Sequence, residues 1–342
     1  MRPTVFIPQP IPEVALNRLK ESAEVEVFPY LDRVITREEL LKAVKGKNYL
    51  YALAEIPFPA EVIDAALPDL RGIAAMYIFP KFVDIETATE RGISVTGIPN
   101  MLVETTAEFT FALLITTAWR LPEGDQVLRK KQWKQYQSMA FLATRIFDKT
   151  LGIVGLGRIG KAVAKRAQGC GMRVIYTKRT RLSSGEEAQL KVDWRELDDL
   201  FREADIVALT PTLTASSKGL VGERLLSLMK PTAILINTSR GAVVDERALA
   251  KALREGRIKG AGLDVFEREF PNPDPGPYPG LLELPNVVVT PHIGSAARET
   301  REAMALRTVE NIEAMIQGRR PPDLLNPEVF GEPPRDTGDR IG

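Results

Sequence analysis

The residues best able to carry out chemistry lie in the second half of the chain. His292 is the only histidine among 342 residues, and histidine is the side chain whose ordinary pKa lies near physiological pH. It follows a strand-like apolar run, and Arg240 and Glu269 follow two other such runs. A lone histidine at a strand end is normally structural. Whether His292 is catalytic therefore depends on whether the three side chains meet.

Convergence of these three side chains would produce an acid–base site. The carboxyl ends of parallel strands meet at one edge of a sheet, where ligands bind. A carboxylate such as Glu269 beside the imidazole would raise the pKa of His292 and keep it protonated as an acid. Arg240 can bind a substrate carboxylate through two hydrogen bonds. The alternative requires a surface ion pair, a loop acid and a structural histidine at the same time.

A glycine motif predicts a dinucleotide site. The sequence GxGxxG at Gly155, Gly157 and Gly160 stands between a strand-like run and a helix predicted over Lys161–Gln168. The first glycine permits a tight turn, the second lets backbone N–H groups approach a pyrophosphate, and the third allows close helix–strand packing. A glycine-rich turn without a ligand is the alternative, but the strand–helix context favours binding.

The segment after the next strand indicates which dinucleotide is bound. NAD-binding proteins usually place an acid about 20 residues after the glycines, for the ribose hydroxyls. That position is Thr177, and no acid is present there. The residues that follow are Lys178, Arg179, Thr180 and Arg181. Because arginine matches a 2′-phosphate, we predict NADP(H) as the preferred cofactor and NAD(H) as the second option. A solvated basic loop is the alternative.

Two series of alternating strands and helices must position these residues. Five strand-like runs precede residue 100, at Val5–Ile7, Val25–Phe28, Tyr49–Leu53, Gly72–Tyr77 and Ile93–Thr96. Six more follow, at Lys149–Val154, Arg173–Tyr176, Asp205–Leu209, Ala233–Asn237, Gly260–Asp264 and Val287–Thr290. Alternation of strand and helix implies parallel pairing with helices on both faces. We predict an α/β protein with two Rossmann-like or flavodoxin-like doubly wound parallel-sheet domains and the active site in the cleft between them.

Two long helices set the predicted domain boundaries. One, over Leu102–Trp119, leaves the first series, and another, over 297–317, returns the chain to it. The predicted parts are a discontinuous substrate domain (1–100 and 296–330), a dinucleotide-binding domain (101–295) with a dimerisation excursion of no clear period (122–148), and a flexible tail (331–342).

Composition excludes several classes of protein. With 46 basic and 45 acidic residues the net charge is +1, so no global field favours nucleic acid or an anionic membrane. Cys170 is the only cysteine, which excludes an intrachain disulfide or a cysteine-based metal site, and we expect no metal. The start lacks a signal-peptide pattern, and the apolar run Phe109–Trp119 is too short to span a bilayer. We expect a cytoplasmic protein.

Together these motifs resemble the D-isomer-specific 2-hydroxyacid dehydrogenase family, most closely its glyoxylate/hydroxypyruvate reductase branch. The resemblance runs from Val5 to about Phe330, with its most specific segments at Leu151–Gly160, Ile236–Glu246, Gly260–Glu267 and Thr290–Ser295. It implies that His292 is the general acid/base, that Glu269 is its carboxylate partner, and that Arg240 binds and polarises a 2-oxo acid. It also implies a homodimer built through the dinucleotide-binding domains and the excursion.

The resemblance extends to the ligand contacts. It implies that Asp264 lies near the nicotinamide and that Thr106 contacts the cofactor. The complete set of expected cofactor contacts is Thr106, Gly155, Leu156, Gly157, Arg158, Ile159, Gly160, Lys178, Arg179, Thr180, Arg181, Thr210, Pro211, Thr238, Ser239, Arg240, Asp264, His292 and Gly294. The expected substrate contacts are Ile78, Phe79, Arg240 and His292.

Two loops depart from the family pattern. Phe79 stands where the substrate loop usually has glycine, and Pro80 removes a backbone donor. The loop after Glu269 is long and rich in proline.

We predict an NADPH-preferring reductase that converts a small 2-oxo acid of the glyoxylate or hydroxypyruvate type to the D-2-hydroxy acid by hydride transfer. The two unusual loops leave open a phosphite dehydrogenase-type enzyme on the same scaffold. A dinucleotide-sensing binding protein with little turnover is a third reading. The intact set of Arg240, Glu269 and His292 argues against a sensor, which has no need of acid–base residues.

Overall fold

The computed structural model describes residues 2–30, 32–53, 56–78, 82–99, 101–269, 272 and 274–333. They form two compact units, one from the start of the chain to Met101 and again from Ala297 onward, the other Leu102–Ala296. No helix in the described ranges combines the length and the apolar character needed to cross a membrane.

Strands and helices alternate along both units. The strands are β1 Thr4–Ile7, β2 Glu24–Val27, β3 Tyr49–Ala52, β4 Gly72–Ala75, β5 Ser94–Thr96, β6 Thr150–Val154, β7 Arg173–Thr177, β8 Asp193–Trp194, β9 Ile206–Leu209, β10 Ile234–Asn237, β11 Gly260–Leu263 and β12 Val287–Val289. The α-helices are α1 Glu13–Ser22, α2 Arg37–Ala43, α3 Ala60–Ala65, α4 Ile85–Glu90, α5 Val103–Ala118, α6 Leu121–Arg129, α7 Arg158–Gly169, α8 Ser184–Leu190, α9 Leu197–Glu203, α10 Glu223–Leu228, α11 Glu246–Arg254, α12 Pro279–Leu282 and α13 Arg298–Ile316.

The first unit is a five-stranded parallel sheet in the order β2-β1-β3-β4-β5. This is the flavodoxin-like order of a doubly wound sheet. Helix α13 returns to this unit, where Glu313 forms an ion pair of 2.6 Å with Arg18 of α1. The amide of Asn311 donates to the carbonyl of Gly97 at 3.1 Å. A capping box of Thr36 and Glu39 is present at the start of α2.

The second unit is a seven-stranded parallel sheet in the order β12-β11-β10-β9-β6-β7-β8. The order reverses between β6 and β9, as in dinucleotide-binding sheets. Alternate residues of β6 serve opposite faces: Leu151 and Ile153 pack with α5 and α7, whereas Val154 packs with α10 and α11. Both faces are covered, which explains the continuous apolar strands. The predicted fold class of two parallel-sheet α/β domains is confirmed.

Two details of the second unit differ from the sequence analysis. A seventh strand, β8, is present at the sheet edge; it has only two residues, too few to show a period of two. Helix α6 occupies the start of the excursion 122–148, which we expected to lack a period. Its apolar pattern spans only nine residues with Pro122 and Gly124 among them, and none of its residues is buried, so no core-facing stripe identifies it.

Candidate active site at the carboxyl edge of the large sheet

The three side chains singled out above follow neighbouring strands of one sheet. Arg240 follows β10, Glu269 follows β11 and His292 follows β12, and these strands are adjacent and parallel. The Nδ1 atom of His292 lies 3.0 Å from Oε2 of Glu269. The positive charge of Arg240 is a smaller influence that favours a lower pKa for each group, so the guanidinium is within electrostatic range of the pair. The structure therefore brings the three together.

The His292–Glu269 pair favours the charged form of both groups. The hydrogen bond that His292 donates to Glu269 raises the pKa of His292 against the opposing effect of burial. Burial alone would raise the pKa of Glu269, but the hydrogen bond and charge of His292 prevail and lower it. The other oxygen of Glu269 accepts the backbone N–H of Phe266 at 2.9 Å, which fixes the carboxylate. Within the described residues nothing bonds to Nε2 of His292, so that nitrogen can serve a ligand.

His292 has a left-handed backbone, with φ of +52°. This conformation costs a non-glycine residue about 1–2 kcal/mol and needs compensation from its surroundings. Asp264, only 1% exposed, supplies it: Oδ1 accepts the hydroxyl of Thr290 (2.7 Å) and the N–H of Ile293 (2.9 Å), and Oδ2 accepts the N–H of Gly294 (2.8 Å). In this structure the carboxylate of Asp264 holds the turn that presents the imidazole. Its expected place beside the nicotinamide stays a prediction.

A short polar turn positions Arg240. The side-chain oxygen of Asn237 accepts from the N–H and hydroxyl of Ser239, and its amide donates to the carbonyl of Arg240 at 3.1 Å. The guanidinium donates through Nη1 to the carbonyl of Ser239 at 2.6 Å. Within the described residues Arg240 has no carboxylate partner, so its charge remains available to an anion.

The glycine motif fits a dinucleotide. Gly155 has φ of +93°, and a Cβ there would lie 2.7 Å from the backbone nitrogen of Pro211. A Cβ on Gly160 would lie 2.7 Å from the carbonyl oxygen of Gly155, so the start of α7 approaches β6 as only glycine allows. Around Gly157, in contrast, no atom lies within 4 Å of such a Cβ. The hydroxyl of Thr210 closes the turn by donating to the Gly155 carbonyl at 2.7 Å. The turn is thus tight where protein meets protein and open where a pyrophosphate would approach.

A second group of expected cofactor contacts lies along α5. The buried hydroxyl of Thr110 bonds to the carbonyl of Thr106 (2.6 Å) and to the hydroxyl of Thr238 (2.7 Å), joining α5 to the loop after β10. A Cβ on Gly294 would lie 3.8 Å from Cγ2 of Thr106 and 3.0 Å from Oδ2 of Asp264. Gly294 therefore lies between Asp264 and Thr106, and Thr238 is joined to the same helix through Thr110.

The basic segment after β7 divides into two parts. Arg181 forms a two-pronged pair with Glu187, at 2.8 and 2.9 Å, and its guanidinium stacks on Trp194 at 5.1 Å. Arg181 and then the hydroxyl of Tyr176 hold the pKa of Glu187 at about 2. Arg181 thus has a structural partner that the sequence analysis did not foresee.

Lys178 and Arg179 remain without an ion pair within the described residues. Arg179 is exposed and Lys178 is half-buried, directly beyond the buried Thr177. These two residues, rather than all three cations, are free to meet a phosphate.

Only part of the expected substrate loop lies within the described residues. Ile78 is half-buried in the first unit, whereas Phe79 lies outside the described residues, as do Pro80 and Lys81. One candidate in the same unit was missed: Arg301, a largely buried guanidinium near Tyr77 whose pKa is lowered by burial. Its guanidinium has no hydrogen-bond partner within the described ranges. One cation on a helix facing its own domain is a weak signal, so sequence alone could not identify it.

Comparison with known proteins identifies the second unit. Residues 111–294 match the family model described as the NAD-binding domain of D-isomer-specific 2-hydroxyacid dehydrogenases. A glyoxylate reductase of Thermococcus gammatolerans is 46% identical over 335 residues, covering 96% of this chain and 97% of the relative. A glyoxylate reductase of Pyrococcus furiosus is 45% identical, with coverage of 96% and 97%.

Solved structures extend the similarity to both units. A crystal structure of a protein from Thermus thermophilus has a TM-score of 0.85 and 44% identity, covering 94% of this chain and 99% of that one. An NADPH-dependent glyoxylate/hydroxypyruvate reductase from Sinorhizobium meliloti, crystallised with citrate, has a TM-score of 0.76 and 32% identity, with coverage of 94% and 97%.

The charge pair makes stability depend on pH. The pKa of His292 is raised in the folded protein. Its contribution to the free energy of unfolding is therefore complete below the unfolded pKa of about 6.5 and is lost as the pH rises through the folded pKa. The pKa of Glu269 is lowered in the folded protein, so its contribution to the free energy of unfolding is present above a pH of about 4.5 and is lost at more acidic pH. We expect Glu269→Gln to lower the unfolding free energy by about 1 kcal/mol more at pH 6 than at pH 9, since solvent screens this half-exposed pair.

Urea denaturation of both proteins at the two pH values measures this difference. Glu255→Gln is the matched control, because Glu255 is exposed and pairs with an arginine, Arg257, rather than with a histidine. An equal effect of Glu269→Gln at pH 6 and pH 9 would contradict the charged pair.

Proposed function

Because the chain belongs to the D-isomer-specific 2-hydroxyacid dehydrogenase family, and is therefore an NAD(P)-dependent 2-hydroxyacid dehydrogenase, we propose that it reduces glyoxylate or hydroxypyruvate to the corresponding 2-hydroxy acid, of D configuration for hydroxypyruvate, with NADPH as its preferred cofactor. The observation that carries this proposal is the His292–Glu269 pair beside Arg240 at the carboxyl edge of a dinucleotide-binding sheet. The relatives named glyoxylate reductases support the substrate class.

Each member of the site has a distinct task in this reduction. When bound, the reduced nicotinamide supplies the hydride that forms the new C–H bond at C2. Arg240 binds the 2-oxo acid and stabilises the negative charge that develops on its carbonyl oxygen. His292 donates a proton from Nε2 to that oxygen, so the products are a hydroxyl group and a neutral imidazole. Glu269, bonded at Nδ1, stabilises the imidazolium before transfer and fixes which nitrogen faces the substrate.

The dinucleotide would be held by the backbone around Gly157 and the first turn of α7. We propose that Arg179 and Lys178 contact its 2′-phosphate, since these cations follow β7 and lack ion pairs within the described residues. Arg181 would support them indirectly, through the Glu187 pair that fixes the segment. The solved S. meliloti relative is described as NADPH-dependent, which agrees with this preference.

Replacing the proton donor tests the mechanism. We expect His292→Gln to lower kcat for glyoxylate reduction by about 100- to 10,000-fold, the usual contribution of a general acid. The dissociation constant for NADPH, measured by fluorescence titration, should stay within about twofold. Near-normal turnover of this variant would refute the assignment of His292.

The same assays on the wild-type enzyme test the substrate class. Glyoxylate- and hydroxypyruvate-dependent oxidation of NADPH is compared with phosphite-dependent reduction of NADP. Faster turnover of phosphite would replace the proposed substrate. Tight binding of NADPH with no turnover of any 2-oxo acid would instead indicate a dinucleotide sensor.

Cofactor preference tests the basic segment. Charged hydrogen bonds contribute about 1.5–3 kcal/mol, which corresponds to a factor of roughly 10 to 100. We therefore expect Arg179→Gln to lower kcat/KM for NADPH by about that factor and to leave kcat/KM for NADH unchanged. The NADH values serve as the internal control. Equal kcat/KM for NADH and NADPH in the wild-type enzyme would contradict the proposed preference.

The excursion supports a homodimer, the second part of the proposal. In the described part of the chain, nine of the 14 exposed large hydrophobic side chains fall between residues 119 and 147. Such a concentration of exposed apolar side chains in one segment, called the apolar patch below, is typical of a surface that binds protein. The nine are Trp119, Leu121, Leu128, Trp133, Tyr136, Met139, Phe141, Leu142 and Phe147.

A charge placed in this patch tests the dimer. The chain has a mass of 37.9 kDa, so light scattering after size-exclusion chromatography distinguishes monomer from dimer. We expect a wild-type dimer and a shift towards monomer in Leu128→Glu, whose side chain is 61% exposed. Val14→Glu is the matched control, an apolar residue of α1 that is 47% exposed. A monomeric wild-type protein would refute the proposal.

A further inference from the structure

Glu246 is a buried carboxylate that the reaction described above does not use. It lies in the first turn of α11 and is only 4% exposed. Its Oε1 accepts the backbone N–H of Glu267 and its Oε2 accepts the backbone N–H of Tyr278, each at 2.6 Å. One side chain therefore joins both ends of the loop that contains Glu269.

Apart from those of the acid–base pair, the hydrogen bonds of the described residues between the two ends of the loop join the loop to itself rather than to another element. The N–H of Gly276 donates to the carbonyl of Arg268 at 2.7 Å, in an isolated antiparallel bridge. The guanidinium of Arg268 pairs with Asp274, whose side chain is 81% exposed. A cavity of about 590 Å³ lies beside these contacts, and it is lined by Glu246, Arg247, Glu267, Arg268, Asn272, Tyr278 and Pro279. Tyr278 packs against the apolar core of the second unit, and Glu246 supplies the polar part of the attachment of the loop.

We propose that Glu246 is a positioning residue for proton transfer: by holding both ends of the Glu267–Tyr278 loop, it keeps Glu269 within hydrogen-bond distance of His292. Glu269 lies two residues beyond the N–H that Oε1 of Glu246 accepts. A shift of that stem by one ångström would break the 3.0 Å contact with Nδ1 of His292. This inference rests on the proposed function for its catalytic meaning, but the linkage itself is a property of the fold.

The chemistry of the two contacts requires a carboxylate. Burial raises the pKa of Glu246, while the two backbone N–H groups oppose that rise. An ionised carboxylate accepts through both oxygens, whereas a glutamine amide presents one oxygen and one NH2 group. In Glu246→Gln the NH2 group would therefore face one of the two backbone N–H groups, and two donors cannot form a hydrogen bond. That contact is lost, and one end of the loop is released.

The single histidine makes the linkage measurable without an activity assay. Protein labelled with 13C at histidine Cε1 gives one resonance, that of His292, and its titration reports the imidazole pKa. In the wild type we expect a pKa above the ordinary value of about 6.5. Glu269→Gln should lower it strongly, and Glu246→Gln should lower it in the same direction by about half a unit or more.

The matched control is Asp245→Asn. Asp245 caps the same helix by accepting the N–H groups of Arg247 and Ala248 at 3.0 Å. Asparagine caps equally well, so this variant removes a negative charge from the start of α11 and leaves the loop attached. We expect its histidine titration to match the wild type. If Asp245→Asn lowers the pKa as much as Glu246→Gln does, helix charge rather than loop position is the cause and the proposal fails.

Hydrogen exchange separates positioning from general destabilisation. In Glu246→Gln, amides of the Glu267–Tyr278 segment should exchange about 10- to 100-fold faster, with β10 and β11 unchanged. Glu246→Asp, which keeps the charge and shortens the side chain, should show smaller changes in the same direction and provides a second variant if the glutamine protein does not fold. An unaltered His292 titration in both variants would overturn the proposal. If the wild-type protein does not turn over any 2-oxo acid, but the variants show the expected shifts in the His292 titration, only the proposed function is refuted.

Discussion

The hydrogen bond between His292 and Glu269 is the contact on which the arrangement of the site depends. It joins loops from two neighbouring strands. Three carboxylates hold this arrangement, each by accepting backbone N–H groups: Asp264 from the His292 turn, Glu269 from Phe266, and Glu246 from both ends of the loop. The position of the pair therefore depends on carboxylates that bind backbone groups.

The parallel sheet determines why these loops meet at all. Asn237, Leu263 and Val289 are register partners across three adjacent strands, so β10, β11 and β12 end at the same level. Each loop carries its member of the site within a few residues of its strand. Arg240, Glu269 and His292 are more than 20 residues apart in sequence, yet all three lie at one edge of the sheet, where His292 and Glu269 are in contact.

Sequence alone predicted the features that depend on local pattern. The parallel strands followed from alternation, and the tight turn at Gly155 followed from a motif whose spacing is set by backbone geometry. The strand ends predicted that Arg240, Glu269 and His292 would lie at one edge of the sheet, and the pairing of His292 with Glu269 was implied by the family resemblance. The short strand β8 and helix α6 were missed because neither is long enough, or buried enough, to show a period.

The contacts that sequence could not predict are those between side chains and distant backbone. Glu246 reaches N–H groups 21 and 32 residues away, and no local pattern distinguishes it from any acid at the start of a helix. The sequence predicts that Arg181 binds phosphate, whereas in the structure Arg181 pairs with Glu187, which lies one turn into the next helix. Such pairings depend on tertiary distances that composition and spacing do not contain.

The left-handed turn at His292 has a consequence for protein design. The proposed proton donor belongs to a structural unit that consists of residues 290–294 together with the buried Asp264, whose carboxylate holds the left-handed turn. A histidine grafted onto a strand end of another parallel-sheet scaffold would adopt ordinary extended backbone and point its ring elsewhere. To transfer the turn of His292 to another protein, the buried carboxylate of Asp264 must be transferred with it, at the matching position of the adjacent strand.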